Sequence, residues 1–401
     1  KLLIASIITA SLLAPSCAGR AEGDDPALDI SPSVNRFGFD LYSIIAAESR
    51  GENIFISPLS ISLALTMTYN GATGSTAAEM AEVLGVDGMD LEEINISNGR
   101  LMKELGGEIE DVRLDIANSL WARDGFTFKQ PFLERTSRYY EAEVRSLDFR
   151  SPSAKEIING WVSEKTHGMI TELLDHIPAD AILYLVNAIY FKGGWAKEFD
   201  PDETRKQDFH ISDDRAERVP MMRRSDKFLY FEGAGFKAVS LPYGEGHVSM
   251  HLFLPDEDSS LGEFHTNLDA ENWKNWMGSY ENKRGSVTLP RFKMEYRKLL
   301  NRPLMDLGMV RAFHPDDAAF HKMIETPLGN VWISRVIHQA VIEVNEEGTE
   351  AAAATAVEMK LTSVRIDEDP FVMVFDRPFF FAIRDNRTGS VLFMGSIADP
   401  R

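Results

Sequence analysis

Two hydrophobic periods alternate along the chain. From Ser57-Pro58 the run LSISLALTMTYNGA carries apolar residues at helical spacing and stops at Asn70-Gly71, which predicts a helix. Residues 75–84 (STAAEMAEVL) repeat that pattern and stop at Gly85. Residues 153–166 (SAKEIINGWVSEKT) form another amphipathic stretch, with Gly168 just beyond it. By contrast, 182–191 (ILYLVNAIYF) is β-branched, aromatic and nearly continuous, the pattern of a buried strand. Residues 247–254, 371–381 and 391–394 also read as strands. Helices fall mainly early and strands mainly late, which predicts an α+β domain.

One segment fits both periods. Residues 343–363 (EVNEEGTEAAAATAVEMKLTS) read as a helix, because Thr349 is a good cap and the four alanines are strong helix formers. They also read as a strand. The odd positions Thr349, Ala351, Ala353, Thr355, Val357, Met359 and Leu361 are all small or apolar, whereas the charges between 350 and 360 sit on even positions: Glu350, Glu358 and Lys360. Alternate side chains of a strand face opposite ways, so this segment has one uncharged face to offer a sheet. Plain exposed helix and conformational switch both remain open from the residues alone.

Composition narrows the function. With 42 Lys and Arg against 62 Asp and Glu the net charge is −20, which repels phosphate backbones, so nucleic acid is not an expected partner. Basic residues occur only as short pairs such as Arg223-Arg224, with no dense patch for a heparin-type activator. The sequence has no G-x-S-x-G elbow, no phosphate-binding G-x-x-x-x-G-K-[ST] loop and no H-E-x-x-H zinc helix. His247 and His251 are placed on one face of a strand, a spacing that more often marks polar positions than a metal site. No enzyme activity, cofactor or metal is expected.

Cys17 is the only cysteine, so no intrachain disulfide forms. It follows Lys1, the apolar stretch Leu2 to Leu13, and Ala14-Pro15-Ser16. That stretch is too short to span a bilayer as a helix, which takes roughly 20 residues, and it reads as the apolar region of a secretory signal. The cysteine after it resembles a bacterial lipobox, although Ala14 stands where leucine is usual. The expected division is a signal peptide over 1–16, a lipidated tether over 17–30 and one domain over 31–401. An ordinary signal peptide with an unmodified cysteine is the other reading, which leaves a secreted protein.

The stretch Glu346-Glu347-Gly348-Thr349-Glu350-Ala351-Ala352-Ala353-Ala354-Thr355 resembles the reactive-loop hinge of inhibitory serpins. The resemblance extends in order along the chain after residue 31, through 53–84, 117–121 (ANSLW), 185–195 (LVNAIYFKGGW), 289–310 and 376–396. It implies the serpin fold, with three β-sheets, about eight or nine helices and an exposed reactive-centre loop over about 346–370. It also implies suicide inhibition of a protease. The protease cuts the loop and is held as an acyl-enzyme when the cut loop enters the large sheet as a new strand, a switch of general type. A strand from Thr349 to Thr362 would reach roughly 45 Å at about 3.3 Å per residue.

The same resemblance assigns residues. The hinge is Glu346, Glu347, Gly348, Thr349, Glu350, Ala351, Ala352, Ala353 and Ala354, with Thr349 entering first. Trp195 resembles the tryptophan at the insertion point, and Ser57, Ser60, Asn187 and His338 resemble the polar cluster where the strands part. Counting 14 residues from the hinge Gly348 puts the scissile bond at Thr362–Ser363, with Lys360 and Arg365 as alternatives in a shifted register. The loop is longer than is common in the family, and counting back from Asp376-Arg377-Pro378 gives a bond near Asp367. Elastase-like, papain-like or trypsin-like proteases are the expected targets of a monomer. A lipid on Cys17 would be the protein's sole membrane contact, placing it in the cell envelope at the outer membrane or cell surface. A non-inhibitory serpin, acting as a binding or chaperone module, is the alternative.

Overall fold

The computed structural model describes residues 28–109, 112–178, 180–325, 330–349 and 369–401. Among the described residues there are nine α-helices and three β-sheets of nine, seven and two strands, which agrees with the α+β expectation. The helix Pro58–Tyr69 starts as read. The Ser57 hydroxyl caps it by accepting from the Ser60 backbone N–H, and Asn70 ends it. Its residues 58 to 68 are all buried, as expected of a helix apolar nearly all round. Gly74–Leu84 stops at Gly85, whose φ of 69° is the left-handed conformation that glycine adopts without steric cost.

Two readings are corrected. Residues 371–381 form two strands, Phe371–Val374 and Phe379–Asp385, in place of one. Pro378 has no N–H for a ladder, and the intervening backbone turns to other partners: the Asp376 carbonyl accepts from the His210 N–H at 2.6 Å. The early-helix, late-strand division is also too simple. Three helices lie between 261 and 306, and the 12-residue strand Val112–Arg123 comes well before them.

The seven-stranded sheet positions the site. Its order runs Phe292–Leu299, Arg335–Val344, Gly348–Thr349, Leu183–Gly194, Val112–Arg123 and Gly107–Ile109, with Glu143–Leu147 also paired to Val112–Arg123. Leu183–Gly194 and Arg335–Val344 are parallel and directly paired over one stretch, from Arg335 opposite Tyr184 to Ala340 opposite Ile189. Above that stretch they separate, and the two-residue strand Gly348–Thr349 stands between them. The helix Ser153–Lys165 covers this sheet, burying Ile158 and Val162 in one cluster with Trp121, Tyr184 and Ile337. The nine-stranded sheet ends in the edge strand Phe371–Val374, which follows the loop in sequence.

Candidate functional site

At the top of the large sheet the segment read from sequence as the hinge contains the short strand Gly348–Thr349. Thr349 pairs with Val344 on one side and Gly193 on the other, and Gly348 pairs with Gly194. This close approach needs glycine at 348. Its φ is 154°, and a Cβ there would lie 2.1 Å from the Gly193 carbonyl oxygen. Thr349 is 1% exposed, and its hydroxyl lies 2.7 Å from that of Tyr243, whose burial pushes its pKa well up. Tyr243 stacks on Trp195 with ring centroids 4.4 Å apart.

Trp195 fixes the turn that feeds the hinge. Its indole Nε1–H donates to the Asn345 carbonyl at 2.9 Å, and its backbone N–H donates to the Glu347 carbonyl at 2.8 Å. The Asn345 Oδ1 accepts from the N–H groups of Glu347 and Gly348. Glu346 is buried, with a side chain 6% exposed, and is paired with Arg291 at 2.5 Å and with the Thr204 hydroxyl. Arg291 itself is 43% exposed, so the pair is half-buried and solvent shares in neutralising the Glu346 carboxylate.

Lower in the sheet the four polar residues assigned from sequence meet. Ser57, Ser60, Asn187 and His338 are all at most 1% exposed. The Ser57 backbone N–H donates to His338 Nε2 at 3.2 Å, and the Ser57 hydroxyl donates to the Leu392 carbonyl at 2.6 Å. Since Nε2 accepts, the His338 proton sits on Nδ1, which lies 2.8 Å from Asn187 Oδ1. The Asn187 amide donates to the Ser60 carbonyl at 3.0 Å and to Asn118 Oδ1 at 2.8 Å. Burial pushes the His338 pKa down to about 3, so the ring is neutral and the cluster carries no charge. His338 and Asn187 are opposite one another on the paired parallel strands Arg335–Val344 and Leu183–Gly194.

The remaining assigned residues Glu350, Ala351, Ala352, Ala353, Ala354, Lys360, Thr362, Ser363, Arg365, Asp367 and Cys17 lie outside the described residues, as do 1–27. His247 and His251 are not on one strand face. His247 precedes the strand Val248–Pro255 and is exposed, whereas His251 is buried with Nδ1 3.3 Å from the Tyr280 hydroxyl. Among the described residues no group of three or more His, Cys, Asp or Glu side chains is placed to hold a metal. Sequence reading missed Tyr243, Asn345, Arg291 and Asn118. Arg291 lies within the block 289–310 that resembles the family, but nothing local marks it as the partner of Glu346. Tyr243 meets Thr349 across 106 residues, a contact that no period in the sequence encodes.

The profile of the serpin (serine protease inhibitor) family matches residues 32–400. An uncharacterized serpin-like protein of Methanosarcina acetivorans is 36% identical over 382 residues, covering 93% of this chain and 88% of the relative. A leukocyte elastase inhibitor of Xenopus laevis is 34% identical over 384 residues, covering 93% of this chain and all (100%) of its own. The crystal structure of the thermophilic serpin tengpin in its native state superposes with a TM-score of 0.85 at 33% identity, covering 92% of this chain and 94% of that one. With the family profile spanning nearly the whole chain and the hinge seated at the head of its large sheet, this chain belongs to the serpin family.

Proposed function

We propose that this serpin is an inhibitor of the trapping type, consumed one for one by its target protease and not itself an enzyme. One observation carries the reading. Thr349, the first hinge residue to enter, is already paired on both sides between the strands that must part, and the residues after it in sequence keep an uncharged face. Insertion therefore only has to extend a strand already begun. The ladder from Arg335–Tyr184 to Ala340–Ile189 would be exchanged for two ladders to the incoming segment, so the backbone groups lost to one partner are regained from another.

The reaction starts with attack of the protease on the loop, at Thr362–Ser363 in the reading we favour and at Lys360, Arg365 or Asp367 in the alternatives. An elastase-like enzyme suits threonine before the cut, a papain-like one suits Leu361, and a trypsin-like one suits Lys360 or Arg365. One relative bears the name leukocyte elastase inhibitor, which supports the first of these. A lipid on Cys17 would hold the inhibitor at the bacterial cell envelope. The alternative of a non-inhibitory binding module is disfavoured by the small Thr and Ala side chains of the hinge.

Titration tests the reading. Protein lacking residues 1–17 is added in steps to elastase-, trypsin- and papain-like proteases, and residual activity is measured. Loss of activity in proportion to added protein, ending near one equivalent, supports inhibition. Complete cleavage of the protein with undiminished protease activity would support the non-inhibitory alternative.

A further inference from the structure

The sheet that receives the C-terminal end of the loop gathers cations which the sequence scatters. Strand Glu281–Pro290 pairs antiparallel with strand Arg215–Gly233, so that Arg284 is directly opposite Lys227 and Thr288 is opposite Arg223. Directly opposed residues share one face of a sheet. Alternation puts Arg223, Lys227 and Leu229 on the solvent side, while Arg224, Phe228 and Tyr230 are buried. Arg223, Lys227 and Arg284 are exposed and have no acidic partner among the described residues. Like charges directly opposite weaken a sheet by up to about 1 kcal/mol.

This face is continuous with the foot of the loop. The edge strand Phe371–Val374 pairs in parallel with Glu281–Pro290, with Gly285 opposite Phe371 and Ser286 opposite Val372. Arg284 is therefore level with Pro370 one strand away. Lys227 is two strands away, roughly 10 Å at about 4.8 Å per strand. Val372 is 66% exposed and Leu229 42% exposed on this same face. Cations bordering exposed apolar side chains make a surface suited to a protein partner.

We propose that this face is an exosite that docks the body of the target protease beside the loop and selects proteases with carboxylates flanking their cleft. The proposal rests on the reading of the chain as a protease inhibitor. A protease attacking the loop comes close to the sheet that holds the loop's C-terminal end, and its rim meets Arg284, Lys227 and Val372. The overall charge of −20 repels an acidic protease, and a local cationic face reverses that repulsion where the encounter happens.

The test uses anionic and cationic forms of trypsin, which share an active site and differ in surface charge. Each is used active and with its catalytic serine replaced by alanine, so that docking is measured apart from trapping. With anionic trypsin, the charge-reversed triple variant R223E/K227E/R284E is expected to associate about tenfold more slowly than wild type at low salt. The difference should shrink as the Debye length falls to about 3 Å near 1 M salt. With cationic trypsin the order should be lost or reversed. Should the charge-reversed protein fail to fold, the neutral R223Q/K227Q/R284Q variant is expected to lose about threefold. Equal rates for wild type and variants at low salt would overturn the proposal. So would a variant that loses only its retention on a heparin column, which would mark the face as a polyanion site. Salt-dependent docking of inactive trypsin, with no covalent complex from active trypsin or from an active elastase-like enzyme, would sink the inhibitor reading and leave the exosite standing. A complex that forms at a charge-independent rate would do the reverse.

Discussion

The hydroxyls of Thr349 and Tyr243 lie 2.7 Å apart, and both are sealed from solvent at the head of the large sheet. This bond joins the first residue of the hinge to the ring stacked on Trp195, so it ties the state of the loop to the body of the fold.

On the proposed trapping mechanism, replacing Thr349 by arginine is expected to turn an inhibitor into a substrate. A charge entering between packed strands without a partner costs several kcal/mol, enough to stall insertion until the acyl-enzyme hydrolyses. The stoichiometry of inhibition should rise at least about tenfold. Thr349→Val keeps the shape but leaves the Tyr243 hydroxyl buried without this partner, at about 1–3 kcal/mol. It should lower the native melting temperature while retaining the trap. A titration that gives the same stoichiometry for Thr349→Arg and wild type would contradict this role.

Arg291→Ala is expected to be more destabilising than other losses of single surface charges. It strips the buried Glu346 carboxylate of its cation; because the Arg291 side chain is itself 43% exposed, the loss stays below that of a fully buried pair, at about 1–3 kcal/mol. The double variant Arg291→Ala with Glu346→Gln should recover a large part of that loss. A double-mutant cycle by denaturant unfolding measures it, and independent, additive effects would refute the pairing.

Native stability should fall as the solution is acidified from about pH 6.5. Burial pushes His338 down to about 3, His251 to about 3 and His265 to about 4, all from the ordinary 6.5. A histidine with a depressed native pKa stays neutral in the fold while the unfolded chain takes up a proton. Its contribution is complete above about pH 6.5 and drains away as pH falls toward the native value. Protonation of His338 would also abolish the acceptor that holds the Ser57 N–H. His338→Asn should flatten the dependence of unfolding free energy on pH between 6.5 and 4, to an extent separable from the other two histidines. An unchanged slope in that variant would remove His338 from the cause.

Trp195→Phe is expected to loosen the hinge. The indole N–H that supports Asn345 is lost, while an aromatic ring remains to stack on Tyr243. The hydrogen bond's absence leaves the Asn345 carbonyl short of a donor at about 1–3 kcal/mol. Hydrogen exchange should rise at Gly348 and Thr349 and stay unaltered in the strand Val112–Arg123. Equal protection at the hinge in both proteins would show that the indole bond does not hold it.

What the sequence disclosed follows from how local each signal is. Ser57 before Pro58, and Gly85 after Leu84, are boundary signals contained in a few residues, and both helices begin or end where those residues put them. The meeting of Ser57, Asn187 and His338 was legible through family resemblance alone, because their separations along the chain exceed 100 residues. The break at Asp376-Arg377-Pro378 was hidden inside an apolar run, where hydrophobicity outweighed the missing proline donor. The pairing of Arg284 with Lys227 was invisible for another reason: register arises from the whole sheet, and a count of neighbouring basic residues sees only separate short pairs such as Arg223-Arg224 and Lys283-Arg284.

The most direct measurement of the trapping mechanism is a denaturing gel of the protein, freed of residues 1–17, with an active elastase-like protease, followed by mass spectrometry. The result expected is a boiling-resistant band at the summed mass of the protease and the cleaved inhibitor, with a released peptide beginning at Ser363. A peptide beginning after Lys360, Arg365 or Asp367 would move the bond while keeping the mechanism. Cleavage within the loop without any covalent band, for elastase-like and trypsin-like enzymes alike, would contradict it.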